Sequence, residues 1–316
     1  MPSSPAPHMF PARMTRALQA LRDSGWEPVL APHARSVDGM SAASPAEIAD
    51  DLHTLLRDAS VDAVMAAAGG YTAIKVLPFI DYGLVRERNV PIIGYSDVAT
   101  VLWAMAANGV ESLIHGPMVV SEFGHFDGPF AVTEASLRAV LASAGELTLV
   151  PPAQWTDDDP WWDRDDRRLL ELKPATPWRV LRHGHAEGPL IAGCLFAVTA
   201  LLGTPYWPDM TGRVLFLEDF GSSPDRLVPA LTQLRLSGQL DEIAGVVLGR
   251  RGRPQAAATG FTDFDAPVLS ALEGLDVPVV ADVDFGHTEP MLSLPIGSRV
   301  RITTDPIDIR LRERCG

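Results

Sequence analysis

The chain has 316 residues, 47% of them hydrophobic, which is enough for two buried cores. Lys and Arg number 26 against 40 Asp and Glu, and the formal net charge of -14 disfavours phosphate-rich partners such as nucleic acid or an anionic membrane. Two cysteines, Cys194 and Cys315, cannot form a disulfide framework, and no stretch reads as a signal peptide or membrane span, so a cytoplasmic protein is expected.

In chain order, "MTRALQALRDSG" predicts a helix stopped at Gly25, with a short strand in "WEPVLAP". The segment from Ser44 predicts a well-capped helix: Ser44 at the N-cap, Pro45 at the first helical position and Glu47 as the return arm of a capping box. Next come a buried strand "VDAVMAAA" ending in Gly69-Gly70, a helix around "TAIKVLPFID", the strand "VPIIGY", a helix "DVATVLWAMAANG" and a strand-like "SLIHGPMVV". Short strands alternating with helices predict a parallel sheet covered by helices.

Between about Gly145 and Ala186 the periodicity stops in a Pro-, Asp- and Trp-rich stretch, which predicts a linker or binding loop. Regular alternation then resumes in "PLIAGCLFAVTALLGTP", "GRVLFLEDFG", "SPDRLVPALTQLRLSGQL", "IAGVVLGR", "APVLSALEGL" and "VPVVADVDFG". The end, "RVRITTDPIDIRLRE", alternates like a half-buried strand pair. The expected fold is α/β. An N-terminal parallel-sheet domain (1–145) is joined by a Trp/Asp linker and substrate loop (146–186) to a smaller C-terminal α/β domain (187–316), with the site at their interface.

No metal-spaced His or Cys set, GxGxxG or Walker lysine loop is present, so neither metal nor nucleotide cofactor is expected. A serine hydrolase remains open. In "GYSDVATVL", Ser96 follows a Gly-led turn between strand and helix, where it is either a nucleophile or an N-cap. Gly69 and Gly70 offer backbone N–H groups to an oxyanion, or simply a turn. Glu218 and Asp219 end a buried strand and His287 follows another, at the carboxyl edges where α/β proteins place sites.

The segments "GGYTAIKVLPFIDY", "PIIGYSDVATVL", "IHGP", "GTPYWPDMTGRVLFLED" and "FGHTEPMLSLPIG" resemble, in order and spacing, the motifs of the LD-carboxypeptidase family of serine peptidases. That family includes murein tetrapeptide carboxypeptidases and microcin C self-immunity (MccF-like) proteins. The resemblance spans about residues 13 to 303. It implies a Ser96–His287–Glu218 triad, an oxyanion site from the backbone N–H groups of Gly70 and Asp97, and frequent homodimers.

Some positions depart from the family pattern. The chain starts at "MPSSPAP", where family members have completed a first strand, so either the start is misplaced or the sheet lacks that strand. The usual Gly-Glu after L-E-D is Phe220-Gly221-Ser222, the usual Gly-Asn is Gly193-Cys194, and Ala99 replaces a threonine. Trp155, Trp161 and Trp162, together with "SEFGHF", resemble the MccF-like branch, which implies nucleobase stacking on Trp162 and a substrate pocket including Trp155 and Gly69; the alternative is that these tryptophans only pin the linker to a domain face. The expected substrate is therefore a peptidyl or aminoacyl nucleotide-like amide. A murein tetrapeptide cut at its terminal D-Ala is the alternative, and a non-catalytic binding member ranks below both.

Overall fold

The structure, a computed structural model, describes residues 4–142, 145–252 and 260–312. The capping box forms as read. Glu47 N–H donates to Ser44 Oγ, Ser44 N–H donates to Glu47 Oε2 at 3.0 Å, and the helix Pro45–Arg57 buries Ile48, Leu52 and Leu56. A first sheet holds Val64–Met65, Ile92–Gly94 and Leu113–His115 in parallel. Its far edge is Leu294–Ile296, which runs antiparallel to Leu113–His115 although it lies late in the sequence.

A second sheet has eight strands, four of them parallel in the order His185–Cys194, Val214–Glu218, Gly245–Gly249 and Val279–Val283. Arg179–Arg182 closes one edge. At the other, the antiparallel pair Arg299–Thr304 and Ile307–Arg312 is followed by Leu147–Thr148. The chain is thus mixed α/β, as expected, with the first sheet parallel except for its late edge strand. No helix among the described residues is long and apolar enough to cross a membrane.

One helix joins the sheets. Ala99–Ala107 buries Val101, Leu102, Trp103 and Met105, being apolar nearly all round as a fully enclosed helix must be. Trp103 Nε1–H donates 2.8 Å to the Ala192 carbonyl in the second sheet, so indole burial leaves no orphaned donor. A single apolar cluster runs from Leu52 and Val64 through Leu102 to Phe216 and Val280. The two sheets share a core, which fixes the edges that carry polar side chains.

Several local expectations change. "WEPVLAP" forms no strand; Val29 and Leu30 are exposed beside Pro28 and pair with no sheet. The strand in "VDAVMAAA" shrinks to Val64–Met65, and that in "SLIHGPMVV" ends at His115. The helix expected at "TAIKVLPFID" is a 3-10 helix, Ala73–Phe79, with Pro78 inside it. The stretch expected to be a linker or binding loop carries short strands, including the pair Gln154–Trp155 and Lys173–Pro174. Helices Tyr82–Arg88 and Ala131–Ala142 also form without having been anticipated.

Candidate active site

Ser96 lies just after strand Ile92–Gly94, at the start of a 3-10 turn, Ser96–Val98, that runs into helix Ala99–Ala107. It is not the N-cap, a position Tyr95 takes without a side-chain bond. Its φ is +58°, left-handed and unfavourable for a residue with a Cβ, so the surroundings hold it there. Gly94 is required nearby: a Cβ there would stand 2.9 Å from Val98 Cγ1 and 3.0 Å from Ala66 Cβ. A Cβ at Gly69 would stand 2.9 Å from Ser96 Oγ, so the glycine pair after the first strand does border the hydroxyl.

His287 Nδ1–H donates 2.7 Å to Glu218 Oε2, and its Nε2 faces Ser96 Oγ at 3.1 Å. With the ring proton on Nδ1, Nε2 carries the lone pair and the serine hydroxyl donates to it. Glu218 ends a fully buried strand, and Gly286, at φ +90°, makes room for it: a Cβ there would meet the glutamate side chain at 2.6–2.8 Å. Burial pulls the His287 pKa down, but the charge and hydrogen bond of Glu218 outweigh it and the net shift is upward. The arrangement can take a proton from an alcohol while a buried carboxylate stabilises the imidazolium.

Other residues brace this hydrogen-bond line, with only faint signs of them in the sequence. The Asp97 side chain accepts from Thr72 N–H at 2.8 Å and Ala73 N–H at 2.9 Å, which ties the loop after Gly69-Gly70 to the serine turn. Tyr95 packs edge-on against His287 at 4.9 Å between ring centroids, and its hydroxyl donates 2.7 Å to Glu122. Phe220, 61% exposed, also contacts the His287 ring, tilted by 51° with centroids 4.6 Å apart. Its aromatic bulk was visible as the departure after L-E-D; its contact with the imidazole was not.

Trp155 and Trp162 of the Trp/Asp segment each lie against cationic side chains. Trp162 is half-buried, with its ring under the Arg13 guanidinium at 4.5 Å and edge-on to Phe10 at 5.2 Å. Trp155 has Lys173 Nζ 5.0 Å and Arg250 5.1 Å from its ring centroid. These contacts pin the Trp/Asp segment to its neighbours. The same segment is tied to the histidine loop by Thr156 and Glu289, which exchange backbone hydrogen bonds at 2.7 and 3.0 Å.

Comparison with known proteins follows the same two halves. Residues 1–116 match the LD-carboxypeptidase N-terminal domain and residues 187–302 its C-terminal domain. The chain is 30% identical to a putative carboxypeptidase of Vibrio cholerae, covering 99% of this chain and 93% of that protein. It is 26% identical to the Escherichia coli microcin C7 self-immunity protein MccF (99% and 91% covered). A probable murein peptide carboxypeptidase of Bacillus subtilis is 28% identical (95% and 87% covered). Among solved structures, MccF in complex with glutamyl sulfamoyl guanosine superposes with a TM-score of 0.91 at 25% identity, covering 99% of this chain and 94% of that one. A muramoyltetrapeptide carboxypeptidase from Oxalobacter formigenes gives 0.77 at 25% identity, with 95% and 94% covered.

Proposed function

Because the chain belongs to the LD-carboxypeptidase family, we propose that it is a serine amidase in which Ser96 is the nucleophile, His287 the general base and Glu218 the group that orients the base. The observation that carries this reading is the unbroken hydrogen-bond line Glu218–His287–Ser96, ending on a serine held at φ +58°. Ser96 Oγ attacks the amide carbonyl as its proton passes to His287 Nε2; the imidazolium, paired with Glu218, then protonates the leaving amine. The backbone N–H groups of Gly70 and Asp97 are the proposed oxyanion donors, each contributing roughly 3–4 kcal/mol to the transition state. Water repeats the cycle on the acyl-enzyme.

The proposed substrate is an aminoacyl or peptidyl nucleotide-like amide, supported by the likeness to MccF, whose structure holds glutamyl sulfamoyl guanosine. Murein tetrapeptide is the second reading. It is favoured by the cations already stacked on Trp155 and Trp162, which give those rings a bracing role that needs no nucleobase. A binding protein without turnover is a third. A homodimer in solution, and a division into 1–145, 146–186 and 187–316, belong to the same proposal.

The test is to assay cleavage of an aminoacyl sulfamoyl adenylate beside release of D-alanine from murein tetrapeptide, with Ser96→Ala as control. Turnover of the first alone supports the nucleotide-like reading and turnover of the second alone the murein reading. Turnover that survives Ser96→Ala rejects the mechanism.

A further inference from the structure

Strands His185–Cys194 and Val214–Glu218 run parallel, with Cys194 and Glu218 as register partners, so both side chains leave the same face of the sheet. Cys194 Sγ, a Glu218 carboxylate oxygen and a His287 ring nitrogen lie within 4.8 Å of one another. Cys194 and Glu218 are 6% and 3% exposed. His287 uses only Oε2 of the carboxylate, and the buried Cys194 thiol hydrogen-bonds to the same Glu218 side chain. The carboxylate that orients the imidazole thus also holds a buried thiol that the hydrolytic cycle does not use.

We infer that Cys194, Glu218 and His287 form a binding site for a thiophilic divalent cation, Zn2+ or Cd2+, that switches the hydrolase off. Sulfur, carboxylate and imidazole are a three-ligand set for such a cation, with a fourth position open. Ligand distances of about 2.3 Å to sulfur and about 2.0–2.2 Å to nitrogen and oxygen require Sγ to draw in and the Glu218–His287 contact to widen from its 2.7 Å. The protons balance simply. The thiol gives its proton to solvent, and the proton on His287 Nδ1 moves to Nε2 as the cation takes the Nδ1 lone pair. Nε2 then donates to Ser96 Oγ instead of accepting from it, and the serine loses its base. The cation site stands on the geometry alone; its switching role rests on the proposed triad.

The experiment uses the full chain carrying Cys315→Ser, stripped of metal and titrated with Cd2+. The sulfur-to-cadmium charge-transfer absorption and the rate at which a fluorophosphonate labels Ser96 are followed together. The expected result is a band saturating at one cation per chain with release of one proton. Labelling slows at least about tenfold and recovers with chelator. Cys194→Ser, checked by thermal melting, removes the band and raises the inhibitory Zn2+ concentration at least about tenfold. Ser96→Ala keeps the band, so the cation site and the hydrolase reading fail separately. An absent band, a band that survives Cys194→Ala, or saturation without slower labelling overturns the inference.

Discussion

Two histidine–glutamate pairs in the molecule are built from the same side chains and left in different states. His287 contacts Glu218 at 2.7 Å through Nδ1, and His125 contacts Glu289 at 3.3 Å through Nε2. Burial and the nearby Arg13 bring His125 down to about 4, while burial takes Glu289 up to about 8. Arg13 Nη2 donates to His125 Nδ1 at 3.1 Å and so occupies the lone pair that His287 keeps free for Ser96. A buried His–Glu contact therefore does not make a base. What matters is which ring nitrogen is left able to accept, and whether a cation has already claimed it.

Truncating each imidazole separates the two pairs most strongly. His287→Ala should lower kcat by roughly 10^3–10^4 with little change in melting temperature, whereas His125→Ala should leave kcat near that of the unmodified protein. Next in size, Trp162→Ala should cost roughly 1–3 kcal/mol of binding for a nucleotide-like substrate and leave D-alanine release unchanged if the ring stacks on a base. Equal losses on both substrates would leave Trp162 as a brace under Arg13. His125→Ala should cost about 1–3 kcal/mol of stability in denaturant unfolding, because Glu289 loses a buried partner.

Smaller effects sharpen the electrostatic contrast. His287 must be neutral to accept a proton and its pKa is raised, so kcat/KM should climb with pH through a value above 6.5. Glu218→Gln, with its negative charge removed, should move that value down. Glu289 and Glu122 are both raised from 4.5, to about 8 and about 7, chiefly by burial. Their contribution to stability is full below their unfolded pKa and declines as pH rises through the folded values. The melting temperature should therefore fall between about pH 5 and pH 8. Glu289→Gln should flatten that fall; an unchanged slope would show that Glu289 does not titrate in the folded chain.

Sequence alone determined what depends on neighbours along the chain: the capping box at Ser44 and Glu47, the alternation of strand and helix, and the terminal strand pair. The ordered motifs also singled out Ser96, Glu218 and His287 before any geometry existed. Tertiary structure alone decided that they meet, since 191 and 69 positions separate His287 from its two partners. It decided, too, that strand Leu294–Ile296 crosses back to the first sheet, that Asp97 braces the Gly69-Gly70 loop, and that Trp162 lies under Arg13. Periodicity records which face of an element is apolar. Which element covers that face, and which polar group its burial leaves beside another, follows from packing between distant segments that share no local pattern.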